Sequence, residues 1–425
     1  MPGPVDRLVE AVVPARLGRS FRWLLAASVV TNTGDGIAIA AGPLLVASQT
    51  RDPFLVSLAL LSEYLPHLVF GLFAGVVADR HDRRRIVAGV NLFRSLVLVV
   101  LTTMIVTGAV NIAIVLVTLF VLGTAETFAD AASSTLIPSL VERDDLGVAN
   151  ARQNGAILLL NQLATPPLGA FLFAIGMAIP FGANAIGFAL GAVLVSRVAR
   201  STRPERTPGE SHLRREIADG VRWLVHHPPM RTLALTILLF NVTYGAAWSV
   251  LVLYARDQLH MNEVGFGLMT AAIAVGGIIG TVSYGALERR FSLAQLMRIG
   301  LLIETVTHLV LALTTSPAIA LGMLVVFGAH AFVWGTTSTV VRQRAVPDEL
   351  MGRVGSVYRI AIMGGIVIGT PIGGALASAF GITAPFWFGF IGSAVLVAIL
   401  WRQFRLIVLA GDAPPDSTIG SATAS

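Results

Sequence analysis

The chain has 425 residues, of which 55% are hydrophobic and 13% charged, and its net charge is +6. A soluble protein of this length needs far more charge to cover its surface, and the lack of cysteine rules out disulfides and thiolate metal sites. Every one of the 30 basic residues is arginine; arginine at the cytoplasmic ends of apolar helices explains the positive balance without a nucleic-acid partner.

The first residues, with Arg7, Arg16 and Arg19, lead into an apolar run that has no small-residue cleavage site behind it. That run therefore reads as a retained helix and not as a signal peptide. A helix needs about 20 apolar residues to cross a bilayer, and only a helix satisfies its own backbone there. Twelve stretches qualify: 23–48, 55–77, 86–107, 111–133, 153–175, 178–198, 232–254, 265–287, 297–314, 317–341, 357–379 and 382–401. The loops after the odd-numbered spans hold only Arg51 and Arg256, and Arg94 lies within span three. The other 27 arginines sit in the termini, in the even loops or at the helix ends beside them. That asymmetry predicts a multi-pass protein with both termini and the long middle loop in the cytoplasm.

The organisation that follows is a cytoplasmic N-terminus over 1–22, a six-helix bundle over 23–198 and a cytoplasmic linker over 199–231. A second six-helix bundle covers 232–401, and the cytoplasmic tail, 402–425, is expected to lack fixed structure. Within the linker, Arg200, Arg203, Pro204, Arg206 and Pro208 read as flexible chain. Leu213, Ile217, Val221 and Leu224 then recur at helical spacing, with Arg214, Arg215 and Arg222 elsewhere. This predicts an amphipathic surface helix over 212–226; a plain tether between the bundles fits the same pattern.

The two halves repeat each other. A shift of 209 lays Arg22 on Arg231, Asn32 on Asn241, Asp35 on Tyr244, Gly36 on Gly245 and Leu44 on Leu253, and also Asp79 on Glu288 and Arg80 on Arg289. A shift of 204 lays Leu146 on Leu350, Pro167 on Pro371 and Gly169 on Gly373. Each shift pairs span n with span n+6. The expected fold is thus all-α and membrane-embedded: 12 transmembrane helices in two pseudo-symmetric six-helix bundles. In a parallel repeat of this kind the substrate site lies near the midplane, between the halves.

Between spans two and three stands Gly75-Val-Val-Ala-Asp79-Arg80-His-Asp82-Arg83-Arg84-Arg85-Ile86. It resembles the G-x-L-A-D-R-x-G-R-R-x-L signature of the major facilitator superfamily, with Asp82 in place of the second glycine. That replacement implies a turn without positive φ. Gly75 is expected to allow close helix approach. The resemblance implies that Asp79 docks on the N-terminus of span eleven, near Gly355, as a conformational latch; helix N-termini favour negative charge. Arg80, Arg83 and Arg84 complete the latch, with Asp130 of span four as partner of the Arg83–Arg85 cluster.

A finer resemblance covers nearly the whole chain. Asn32-Thr-Gly34-Asp35, Arg94, Ile137-Pro138, Leu146, Ala149-Asn150 and Glu216…Gly220…Trp223…His227-Pro228 resemble the enterobactin-exporter and macrolide-efflux branch. In span five, Thr165-Pro166-Pro167-Leu168-Gly169-Ala170 is similar to the G-P-x-x-G-G signature of antiporters and keeps Pro166 and Gly169. Pro371 and Gly373 repeat the feature in span eleven, and both pairs are expected to kink and pack their helices. The resemblance implies a drug or siderophore exporter of the inner membrane, driven by an ion gradient.

Ionisable residues at membrane depth are functional candidates by default. Asp35, Glu63 and Arg94 lie at similar depth and are the candidates for proton coupling. One reading is a titrating Asp35 with Arg94 as its partner; the rival is a fixed structural ion pair. Glu126 and Asp130 follow in span four. In span nine Glu304 and His308, one turn apart, are expected to pair with each other. Asn32, Asn241, Tyr244, Trp248, His330 and Trp334 are the candidate substrate-cavity residues, lipid-facing packing being the alternative for both tryptophans.

There is no phosphate loop and no H-E-x-x-H site, and the cytoplasmic segments are too short for a catalytic domain. The expectation is therefore no enzyme, no cofactor and no metal, with a proton gradient as energy source. The expected partners are a small-molecule substrate and the lipid bilayer, with the chain acting as a monomer. Export of small amphipathic molecules by alternating access and proton antiport is the leading reading. A lipid or lysolipid flippase and a non-transporting sensor or scaffold are the alternatives.

Overall fold

The computed structural model describes residues 15–199 and 213–412. The readings made above at Arg7, at Arg200, Arg203, Pro204, Arg206, Pro208 and His212, and of the tail past 412 lie outside those residues. The helices in chain order are α1 (Gly18–Gln49), α2 (Pro53–Arg80), α3 (Arg83–Val106), α4 (Ile112–Leu140), α5 (Leu146–Ala156), α6 (Thr165–Ile175) and α7 (Ile179–Ser196). After them come α8 (Leu213–His226), α9 (Pro228–Trp248), α10 (Glu263–Arg290), α11 (Leu293–Leu313), α12 (Pro317–Ala345), α13 (Met351–Phe380), α14 (Ala384–Leu400) and α15 (Gln403–Asp412). No strand occurs among the described residues. Among the described residues eleven stretches are long and apolar enough to cross a membrane, and the twelfth expected span is the shorter Ala384–Leu400.

Local chemistry sets the helix ends. Asp82 caps α3 and Asn111 caps α4 through side-chain oxygens, while Ser292 and Gln295 form a reciprocal capping box on α11. Proline occupies the first turn of α6, α7, α9, α12 and α14, where its missing N–H is no loss. Gly381 ends α13 at φ 95°, a conformation that a side chain would strain.

Span five departs from its expected form. It is not one α-helix but α5, a π-helix over Ile157–Ala164, and α6. Pro166 and Pro167 cannot donate to the carbonyls of Gln162 and Leu163, so the turn before them loosens. Thr165 instead reaches back five residues, its N–H donating to the Leu160 carbonyl. Span seven also breaks: α9 stops at Trp248, and a single turn and a π-helix over Tyr254–Gln258 follow. The tail is ordered further than expected. Its α15 buries Phe404 and Ile407 in a cluster with Leu293, Met297 and Leu400, which offsets the entropy of fixing the segment.

Large apolar side chains such as Leu92 (62% exposed) and Val282 (80%) face outward. In water this would be an aggregation hazard; in a bilayer it is ordinary solvent contact.

The chain divides into two compact units. One gathers Met1–Arg51, Ser62–Gly209 and Met261–Ala271; the other gathers Asp52–Leu61, Glu210–His260 and Ala272–Ser425. In the first unit α1 packs on α6 and α7, and α3 on α4 and α7. In the second, α9 packs along α13, and α11 along α12 and α14. The start of α2 belongs to the second unit: Ser378 Oγ donates to Asp52 Oδ1 at 3.1 Å, and the N–H of Phe54 donates to Ser378 Oγ at 3.2 Å.

The sequence repeat reappears as repeated contacts. In the first unit a Cβ on Gly169 would collide with the Ile37 carbonyl; in the second a Cβ on Gly373 would collide with the Ala246 carbonyl. Gly36 and Gly245 touch the opposite helices of the same crossings. Two backbones meet there with no space for a side chain at Gly169 or Gly373.

Candidate functional site

In the first unit Arg94 reaches from α3 to two acids. Its guanidinium donates to Asp35 Oδ1 of α1 at 2.6 Å and stands 3.5 Å from Glu126 Oε2 of α4. Its carbon centre lies 3.9 Å over the Phe188 ring of α7, a cation–π contact in a dry setting. The Arg94 side chain is 6% exposed and that of Asp35 16%. Gly34 and Gly36 flank Asp35, and each leaves room that Asn184 and the Asn161 backbone occupy. Asp35 is therefore carried where α1 lies closest to its neighbours. With both carboxylates ionised, the three groups sum to one negative charge.

Sequence reasoning paired Asp35 with Arg94 and counted Glu126 among the intramembrane acids of the first half, but did not pair it with Arg94. Glu63, the other candidate, does not join the ion pairs: its carbonyl accepts from His67 Nδ1 at 3.1 Å, and its backbone packs on Gly123 of α4. A polar seam beside the cluster was also missed. Ser28 Oγ accepts from Asn32 Nδ2 at 2.9 Å and from Gln153 Nε2 at 2.7 Å, and Asn161 Nδ2 donates to Asn32 Oδ1 at 3.4 Å. Asn32 is thus partnered within the unit, between α1 and the π-helix. The π-helix was the available signal, since such insertions concentrate at functional sites, but two prolines in sequence do not reveal it by themselves.

The signature loop is organised differently from expectation. Asp82 lies at φ −60° and accepts from the N–H groups of Arg84 (3.0 Å) and Arg85 (3.3 Å), a turn that needs no positive φ. Asp79 pairs with Arg83 at 3.7 Å, and Arg84 donates to the Val198 carbonyl at 2.6 Å. Arg80 is exposed. Gly75 makes no close approach: a Cβ there would meet nothing within 4 Å. Asp130 does not serve the arginine cluster either. Its carboxylate lies 3.9 Å from His67 Nε2 of α2. The reason is axial: α4 runs on to Leu140, so Asp130 sits about 15 Å short of its end.

In the second unit four of the expected cavity residues do come together, as one aromatic stack. Tyr244 and Trp248 of α9 stack at 4.6 Å, Trp248 meets Phe327 of α12 at 4.5 Å, and Phe327 meets the His330 ring at 5.4 Å. Phe240 stacks on Trp334 at 5.7 Å. Yet His330 (4% exposed) and Trp334 (7%) are buried against α11 and do not line an open surface. His330 Nε2 engages Glu304 Oε2 at 2.9 Å, a partner the sequence did not suggest. The expected Glu304–His308 pairing is present at 3.5 Å. Asn241 donates to the Ile237 carbonyl of its own helix and packs on Gly365 of α13.

Comparison with known proteins agrees with this architecture. The family described as "Transmembrane secretion effector" matches residues 11–417. The multidrug efflux pump Tap of Mycolicibacterium fortuitum is 27% identical over 383 residues, covering 85% of this chain and 90% of that protein. The enterobactin exporter EntS of Shigella boydii serotype 4 (strain Sb227) is 24% identical over 419 residues, covering 91% and 93%. Among solved structures, a bacterial homologue of the iron transporter ferroportin in an inward-facing state superposes with a TM-score of 0.74. It is 18% identical and covers 91% of this chain and 98% of its own. That likeness shows the shared major facilitator fold.

Proposed function

We propose a proton-coupled export mechanism for this chain, which belongs to the transmembrane secretion effector family and is an efflux transporter of the major facilitator type. Its cargo is small and amphipathic, a drug, antibiotic or siderophore, as multidrug efflux by Tap and enterobactin export by EntS suggest. The chain works by alternating access in the inner membrane, as a monomer with both termini in the cytoplasm. Asp79, paired with Arg83 here, is read as the conformational latch that the signature loop implies.

One observation carries the coupling: a single buried arginine answers two carboxylates. A net negative charge at membrane depth is costly, so the cluster favours taking up one balancing positive charge. A proton supplies it, and so does a cationic group on a substrate; the two then compete for the same deficit. Substrate entering from the cytoplasm displaces the proton, and proton entry from outside displaces substrate. The polar seam of Ser28, Asn32, Gln153 and Asn161 offers hydrogen bonds beside this deficit.

The test is efflux of ethidium and of a macrolide from cells, with and without a protonophore. Asp35→Asn is expected to abolish gradient-dependent efflux while the purified protein still elutes as a folded species. Normal efflux by Asp35→Asn would refute the proton role. A sensor or scaffold no longer fits a chain of this family; scrambling of labelled lipid in vesicles, with no ethidium transport, would favour the flippase.

A further inference from the structure

The second unit holds a titratable cluster that the mechanism above leaves idle. Glu304 and His308 are fully buried, and His330 is 4% exposed. Glu304 Oε2 lies 2.9 Å from His330 Nε2, and Oε1 lies 3.5 Å from His308 Nδ1. His308 Nδ1 is also 3.0 Å from the Glu304 carbonyl. A carbonyl can only accept, so Nδ1 carries the hydrogen and the lone pair of neutral His308 is on Nε2. That Nε2 is buried without a hydrogen-bond partner, as is His330 Nδ1, and Glu304 Oε1 has no hydrogen bond beyond its 3.5 Å ion-pair contact with His308 Nδ1. The adjoining rings of Trp248 and Trp334 bury their indole N–H groups unpartnered as well. Buried polar atoms are normally satisfied, so this many in one place is not what a purely structural polar contact requires.

We propose that Glu304, held between His330 and His308, is a second proton-binding site of the transporter, in the second unit, and that it exchanges a proton during transport. It rests on the proton-coupled reading above and adds a site to it. An isolated carboxylate at this depth needs a compensating positive charge. One proton supplies it in either of two ways: on the carboxyl, or on His330 as an imidazolium paired to the carboxylate. In both the cluster is neutral. The free nitrogens, His330 Nδ1 and His308 Nε2, are where that proton enters or leaves.

Little else nearby competes for it. α14, packed along α11, carries no titratable side chain. α10, which crosses α12 at Gly276 and Gly280, has them only at Glu263 and from Tyr284 to Arg290. α9 contributes Tyr244, stacked on Phe327. Tyr254 lies beyond, its hydroxyl donating to the Leu311 carbonyl at 2.7 Å. α15 meets α11 around Leu293 and Met297, about two turns from Glu304. The rings between Glu304 and the half-buried face of α9 are Phe240, Trp248, Phe327 and Trp334. Reorientation of one of them, as when a flat apolar molecule wedges between Tyr244 and Trp248, is the event that opens the site to water. Proton exchange is thereby tied to cargo.

Two measurements on full-length protein test this. Purified wild type, Glu304→Gln and His330→Gln are titrated by infrared difference spectroscopy across the carboxyl and imidazole range, about pH 4 to 8. Wild type should show a carboxyl band that Glu304→Gln lacks or an imidazole band that His330→Gln lacks; bands unchanged in Glu304→Gln overturn the proposal. In proteoliposomes, ethidium accumulation driven by a pH gradient is compared with ethidium exchange at equal pH. Glu304→Gln should keep exchange and lose accumulation at least tenfold; wild-type accumulation overturns the proposal. If Glu304→Gln does not fold, His330→Gln, which keeps the carboxylate, is read by the same criteria. Wild-type protein that exchanges ethidium without responding to the gradient would remove the coupling assigned to the first unit, and the infrared bands would then decide the second site alone.

Discussion

Arg94 answers both Asp35 and Glu126, so removing it strands two carboxylates inside the bundle. Breaking a buried pair from one side costs about 3–5 kcal/mol, most of it the uncompensated charge. Arg94→Gln is therefore expected to unfold at markedly lower denaturant in detergent. Adding Asp35→Asn to it should recover a large part of the loss, because one stranded charge is gone. A double variant as unstable as Arg94→Gln would mean that the lost stacking on Phe188, and not charge, sets the cost. Asp35 and Arg94 were legible in sequence because charges within apolar runs are rare. Their partners were harder to read. Glu126 and Asp130, four residues apart, share a face of α4, but which neighbours that face meets depends on helix rotation, and hydropathy does not encode it. The same blindness hid the His330–Glu304 contact, which joins residues 26 apart on two helices.

At the scale of elements, the linker helix α8 shows how an amphipathic pattern is used. Leu224 is buried with Met230, Val354 and Tyr358, while Val221 and Val225 stay exposed. Gly220 lies against the Arg353 carbonyl, where a Cβ would come to 2.7 Å. Asp219 meets Arg353 at 3.4 Å, and Trp223 stacks on His227 at 4.7 Å. The helix is thus docked on α13 through its small and apolar residues. Burial holds His227 below the ordinary imidazole range. The unfolded chain then binds the extra proton first, so this contribution is present above about pH 6.5 and is lost as pH falls below it. Hydrogen exchange over 213–227 should accelerate between neutral pH and about pH 5.5, after correction for the intrinsic pH effect. His227→Phe, which keeps the stack without the titration, should abolish that acceleration; if it does not, His227 is not the trigger. Gly220→Val should raise exchange at every pH. The helix itself was visible as a 3.6-residue repeat. Its docking was not, because Gly220 carries no hydropathic signal. The π-helix of span five was likewise invisible, since Ile157–Ala164 is as apolar as the α-helical runs of the other spans.

Across the whole chain the repeat was read from a handful of identities, and the structure gives it physical content. Ile37 and Ala246 share neither size nor shape, yet each presents its carbonyl to a glycine of the matching helix. What the two halves conserve is the backbone crossing, and the side chains around it diverge: Asp35 of one half stands where Tyr244 stands in the other. The charges follow that divergence, with an arginine between two acids in the first unit and a glutamate between two histidines in the second. If the crossings are equivalent, Gly169→Val and Gly373→Val should carry similar penalties. Forcing a side chain into a packed contact costs about 1–3 kcal/mol. The two sites belong to different units and share no contact residue, so the double variant should lose the sum to within about 0.5 kcal/mol. Denaturant unfolding in detergent of the two single variants and the double measures this. A loss confined to Gly169→Val would show that the crossing in the first unit alone bears the constraint. Coupling well beyond that margin would show that a crossing in one half is felt in the other.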